Sequence, residues 1–115
     1  MTNIYGTGLK GKATKMHAEL IRSRGRCESC GSTGGLQCAH IVTRRRNATR
    51  VDPANAFCLC QGCHLRFTHD PKEWVEFVTS KIGADAYDDL QFRSKQTVKA
   101  NDAYWQTWID RLNYE

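Results

Sequence analysis

Cys27-Glu28-Ser29-Cys30 and, 33 residues on, Cys60-Gln61-Gly62-Cys63 bracket the stretch that decides the fold. Each is a C-x2-C pair, the spacing at which one tight knuckle presents two thiolates to a single metal ion. Two such knuckles complete a four-thiolate tetrahedron, the arrangement preferred by structural Zn²⁺. Cys27, Cys30, Cys60 and Cys63 are therefore the expected zinc ligands, with Cys58 as a rival to Cys60 because one residue separates them. Cys38 and Cys58 otherwise read as small buried hydrophobes. Between the knuckles lies His40, and His64 directly follows the second. A metal staple that draws two histidines together around an arginine-rich loop points to nucleic-acid chemistry.

The rest of the chain fits that reading. Its 115 residues suit one domain with a modest core. No apolar run is long enough to span a bilayer and the first eight residues lack a signal segment, so a soluble, intracellular protein is expected. In a reducing compartment six cysteines are better explained by metal than by disulfides. Charge is unevenly spread: residues 1–70 carry a net +7 and residues 71–115 a net −2. Basicity travels with the cysteine motif, as expected of a half that faces phosphates.

Working outward, residues 1–11 are Gly-rich and read as a flexible arm ahead of a single domain over 12–115. Ala13, Met16, His17, Leu20 and Ile21 share one helical face that Gly25 ends, with His17 as a packed histidine. Leu36 to Val42 reads as a strand carrying His40 near its end, and Asn55 to Leu59 as the returning strand. A short helix from Gly62 or Cys63 closes a zinc-bound core over 27–69. A helical part follows over 70–115. Asp70-Pro71 with Glu73 signals a new helix, whose stripe is Trp74, Phe77, Val78 and Ile82. A short helix around Tyr87 and Leu90, and a last one from Val98 carrying Trp105, Trp108, Ile109 and Leu112, complete the chain. At helical spacing in an acidic half, these aromatics read as core rather than base-stacking platforms.

Arg44, Arg45, Arg46 and Arg50 fall within seven positions beside His40. Guanidinium pairs bidentately with phosphate, so this loop reads as a phosphate clamp, with Arg66 facing the same groove.

The order C-x2-C, strand, His40-Ile41, Arg-rich loop, Asn55, strand, C-x2-C-His64 resembles the HNH endonucleases of the ββα-metal fold. Leu36 to Ile41, Ala48 to Asn55 and Cys60 to His64 are similar, more narrowly, to phage HNH proteins related to the NinG recombination protein. The resemblance spans roughly residues 20–95. It implies a small α+β, zinc-stapled ββα-metal domain flanked by N- and C-terminal helices. By resemblance His40 is the general base that activates water, Asn55 braces the loop between the strands, and His64 ligates a catalytic divalent cation such as Mg²⁺ or Mn²⁺.

Most HNH proteins place Asp or His before the base as the first metal ligand, whereas this chain has Ala39, a feature NinG-like proteins tend to share. His69 is then the leading second ligand, with Cys38, Asp52 and Asp70 behind it. Position 68, the i, i+4 ligand of many members, is Thr68. The implied partner is DNA, in the cytoplasm of a bacterial host, together with a second copy of the chain or phage recombination or packaging proteins. The expected activity is metal-dependent DNA cleavage with weak sequence preference. The alternatives are a zinc-stapled DNA-binding module without chemistry, for which Ala39 argues, and an interaction module built on the helical half.

Overall fold

The chain is described over residues 4–114 by a computed structural model. Its α+β architecture sets five helices around one two-stranded antiparallel sheet. The elements are α1 (Gly8–Arg22), β1 (Leu36–His40), a 3-10 turn (Pro53–Asn55), β2 (Ala56–Cys60), α2 (Gln61–His69), α3 (Pro71–Ile82), α4 (Ala84–Ser94) and α5 (Asp102–Leu112).

The sheet register pairs Leu36 with Cys60, Cys38 with Cys58 and His40 with Ala56. Because side chains alternate across a strand, the sheet has two differently used faces. Ala39, Phe57 and Leu59 pack with Phe67 of α2 and Val78 of α3. Phe57, Phe67, Trp74 and Phe77 form a cluster of ring contacts there, with centroids 4.9–6.1 Å apart, the spacing of favourable aromatic pairs. On the other face Ala56 and Cys58 are buried with Ile21 of α1, and Cys38 packs against them. Cys58 thus serves as a buried apolar residue and leaves the metal ligation to Cys60.

Helix α1 is sandwiched between the sheet and α5. Its buried face accordingly widens beyond the predicted stripe to include Thr14 and Ala18. Trp105, Ile109 and Leu112 of α5 bury against Ala13 and Val51. The tryptophan at 105 is core, as its spacing predicts.

The predicted flexible arm over 1–11 is corrected by this packing. Residues 1–3 lie outside the described residues, but α1 already begins at Gly8. The segment before it is tied down: Arg44 Nη1 donates to the Ile4 carbonyl at 3.0 Å and Arg50 Nη2 to that of Tyr5 at 3.4 Å. The turn at Gly6 folds so closely over α1 that a Cβ at Gly11 would run into the Gly6 carbonyl. Only glycine fits there.

The strand limits shift in an informative way. β1 ends at His40, two residues before the predicted end, because Ile41 and Val42 bond to Asn55 instead of continuing the ladder. Asp70 caps α3 as predicted, its carboxylate accepting from the Glu73 amide at 3.0 Å. The Glu73 carboxylate does not return the bond; it pairs with Arg66 at 3.2 Å. The last helix starts at Asp102 under an Asn101 cap, later than predicted. Among the described residues no helix is long and apolar enough to cross a membrane.

Candidate metal centre and histidine groove

The two knuckles converge. The sulfur atoms of Cys27, Cys30, Cys60 and Cys63 all lie within 4.8 Å of one another. Cys30 and Cys60, one from each knuckle, are 3.7 Å apart, close to the ~3.8 Å edge of a tetrahedron with Zn–S bonds of about 2.3 Å. In each knuckle the amide three residues on points at the leading sulfur, Cys30 N to Cys27 Sγ and Cys63 N to Cys60 Sγ, both at 3.4 Å. Amides aimed at sulfur stabilise thiolate, so the donor set fits a structural zinc ion, and these four residues would hold it.

The same atoms build the fold. Cys60 ends β2, caps α2 through its sulfur and would supply one of the four ligands. The first knuckle is docked on β2 by Glu28, whose amide donates to the Cys58 carbonyl at 2.7 Å and whose carboxylate accepts from the Cys58 amide at 2.6 Å. One metal would therefore fix the loop after α1, the sheet and the start of α2 together.

His40 and His64 are brought to one groove. Both line a cavity of about 100 Å³ with Ala39, Phe67, Thr68 and Trp74. Both also border a wider groove of about 570 Å³ that runs past Gln37, Cys38, Arg22 and Arg44. Their tautomers are set by carbonyl partners. His40 Nε2 lies 2.8 Å from the Arg50 carbonyl, which only accepts, so Nε2 carries the proton and Nδ1 keeps its lone pair. His64 Nδ1 lies 2.6 Å from Gln37 Oε1, so there Nδ1 carries the proton and Nε2 is the free nitrogen. Burial holds both rings below the usual histidine pKa; for His40 the bond to the Arg50 carbonyl opposes this, and the nearby charges of Arg50, Arg44 and His64 add to it. Near neutral pH both are uncharged, the state that takes a proton or binds a metal.

Asn55 is completely buried. Its Oδ1 accepts from the Val42 amide at 2.8 Å, and its Nδ2 donates to the Val42 and Thr49 carbonyls at 3.0 Å. It holds both ends of the loop that carries Arg50, and with it the carbonyl that orients His40.

Two sequence expectations do not survive. Arg50 is not free to clamp phosphate: it is buried, and its guanidinium donates to Thr14 Oγ1 at 2.9 Å and the Arg44 carbonyl at 2.8 Å, besides Tyr5. His69 does not join His64. Five residues along a helix rotate a side chain by about 140°, and His69 is exposed at the end of α2, bordering neither cavity. Thr68 is the residue on the His64 face; its hydroxyl donates to the His64 carbonyl at 2.8 Å. Asp52 is engaged with Arg93 at 2.7 Å and caps the 3-10 turn, and Asp70 caps α3. Among the described residues no carboxylate lines either histidine cavity.

Arg44, Arg45 and Arg46 are exposed, although Arg44 spends one donor on Ile4. Arg66 is exposed on α2, over the Phe67 ring at 4.7 Å and paired with Glu73.

His17 and Gln37 are the site neighbours that no motif announced. His17 is fully buried behind β1, its ring 5.1 Å from that of His40 and its Nε2 3.0 Å from the Asp52 carbonyl. Burial, reinforced by His40, lowers its pKa to about 4. Its place on an apolar helical face marks it as packed; nothing in the sequence says that its neighbour is His40. Gln37 has no sequence signal beyond lying three residues before His40.

Comparison of the chain with family models, curated proteins and solved structures found no match.

Proposed function

We propose that this protein is a metal-dependent DNA endonuclease on an HNH-type ββα-metal scaffold, hydrolysing phosphodiester bonds with His40 as general base. The observation that carries the reading is the pair of fixed tautomers in one groove: His40 with a free Nδ1 and His64 with a free Nε2. Carbonyl partners that pin an imidazole so that one nitrogen stays basic are what general-base and metal-ligand histidines need.

Each residue has a distinct role. His40 Nδ1 takes the proton of the attacking water, and the Arg50 carbonyl keeps the ring from turning and stabilises the imidazolium that forms. Asn55 holds that carbonyl in place without touching substrate. His64 Nε2, oriented by Gln37, would hold a divalent cation such as Mg²⁺ or Mn²⁺. When bound, such a cation offsets the phosphate charge and the charge developing on the leaving oxygen. With Thr68 on its helical face and no carboxylate among the described residues lining either cavity, His64 would leave most of the ion's positions to water and the substrate's own phosphate oxygens. Arg44, Arg45 and Arg46 grip backbone phosphates, so binding is salt-dependent and weakly sequence-selective. The partner is therefore DNA, in the bacterial cytoplasm that the resemblance to phage proteins implies, with a second copy or phage recombination or packaging proteins as further candidates.

Plasmid nicking by zinc-loaded protein tests this: cleavage should appear with Mg²⁺ or Mn²⁺ and stop with EDTA. The second reading, a zinc-stapled DNA-binding module without chemistry, is favoured by one observation, the lack of a carboxylate in either cavity among the described residues. Salt-sensitive binding with no nicking under any metal would establish it.

A further inference from the structure

We propose that His17, Cys38 and His40 form a second metal site, suited to Zn²⁺ or Co²⁺, and that filling it withdraws the lone pair with which His40 acts as base. The first half stands on geometry alone; the second rests on the nuclease reading above.

One ligand atom from each of the three residues lies within 4.8 Å of the others. Cys38 Sγ is 3.8 Å from His17 Nδ1, against roughly 3.5 Å for a sulfur and a nitrogen on one tetrahedral ion. The sequence places them so: Cys38 and His40 alternate onto the same face of β1, and α1 lays His17 across that face. Both imidazoles are oriented by carbonyls, His17 Nε2 by Asp52 and His40 Nε2 by Arg50. Each therefore directs its unprotonated Nδ1 away from those bonds, and for His17 that atom is the one nearest Cys38. Metal-binding histidines are held in this way, by an acceptor on the nitrogen that does not bind. One thiolate and two imidazoles suit zinc or cobalt and do not suit Mg²⁺.

Cys38 and His40 also border the wider groove, so the ion has a way in and a fourth position for water. On binding, Cys38 forms the metal–sulfur bond and its thiol proton passes to solvent. Burial pushes the Cys38 thiol up to about 11, opposed only in part by Arg22 and Arg24, so it is the metal that must displace the proton. His40 Nδ1 then belongs to the metal and cannot accept a proton from water.

The experiment is a metal count with an activity arm. Protein equilibrated with excess Zn²⁺ and freed of unbound metal should carry one zinc ion more per chain than Cys38→Ser or His17→Gln treated in the same way. Co²⁺ added to protein holding only the four-cysteine zinc should give a thiolate-to-cobalt absorption band that Cys38→Ser lacks. Because Cys38→Ser is nearly isosteric, an unchanged melting curve and retention of the first zinc certify its fold. Equal zinc contents in the wild type and the two variants overturn the site whatever the protein does to DNA. In the activity arm, zinc should slow Mg²⁺-supported nicking at least tenfold in the wild type and spare Cys38→Ser. Unslowed nicking with the additional zinc bound overturns the silencing. If nothing is nicked under any condition, the nuclease reading fails, and the metal count alone decides the site.

Discussion

His40 Nε2 is held by the carbonyl of Arg50, at 2.8 Å. The Arg50 side chain is in turn anchored to α1 through Thr14 at 2.9 Å. The orientation of the candidate base thus depends on an arginine that the sequence alone would assign to phosphate.

That distinction separates the arginines experimentally. Replacing Arg45 and Arg46 together with Ala should leave the melting temperature nearly unchanged and lower the salt slope of DNA binding by about 1.8, or 0.9 for each phosphate no longer neutralised. Arg50→Ala should instead destabilise the fold, by about 2 kcal/mol or more, because it opens a buried site and strands its acceptors. Denaturant melts and binding across a salt series check both. An Arg50→Ala protein of normal stability with a reduced slope would return Arg50 to the phosphate clamp.

Asn55 makes three hydrogen bonds with no water to replace them. Asn55→Ala should cost about 3 kcal/mol, since each unsatisfied buried partner costs about 1 kcal/mol or more. Urea melts of zinc-loaded protein measure it. A loss below about 1 kcal/mol would mean that the loop does not rely on this brace.

Cys30→Ser removes a ligand from the exposed side of the four-thiolate cluster. Structural zinc supplies folding free energy, about 10–16 kcal/mol in small zinc domains. The variant should bind no zinc at this cluster and lose its cooperative melt. A stable, zinc-replete Cys30→Ser protein would contradict the staple.

Ala39 is buried at the floor of the cavity shared by His40 and His64. Ala39→Asp places a carboxylate beside His64 and should lower the Mn²⁺ concentration needed for half-maximal cleavage by about tenfold, the order seen when a site gains or loses one supporting group. It should also destabilise the metal-free protein, because a buried carboxylate without a partner is costly. Metal titrations of nicking and melts with and without Mn²⁺ test the pair of effects. An unchanged metal requirement in a folded variant would place the cation elsewhere.

The sequence makes some of this legible and hides the rest for physical reasons. Local signals are reliable here: knuckle spacing fixes the four thiols, Asp70-Pro71 starts α3, and Trp105 at helical spacing is buried. What cannot be read is which charges are spent internally. Arg50 and Arg44–Arg46 look alike in sequence, and only the approach of α1 and the Ile4–Thr7 segment turns Arg50 inward. His69 looks like a partner for His64 until helical rotation carries it to another face. His17 meets His40 through a packing of α1 on β1 that no local pattern encodes.

The most direct measurement of the central claim compares His40→Ala with the wild type on supercoiled plasmid, both zinc-loaded, in Mg²⁺, Mn²⁺ and EDTA, with DNA affinity and zinc content measured on the same preparations. With His40 as general base, the wild type nicks only with added metal, the variant loses at least about 100-fold, and affinity and zinc content are unchanged. Nicking by His40→Ala at the wild-type rate would contradict that role.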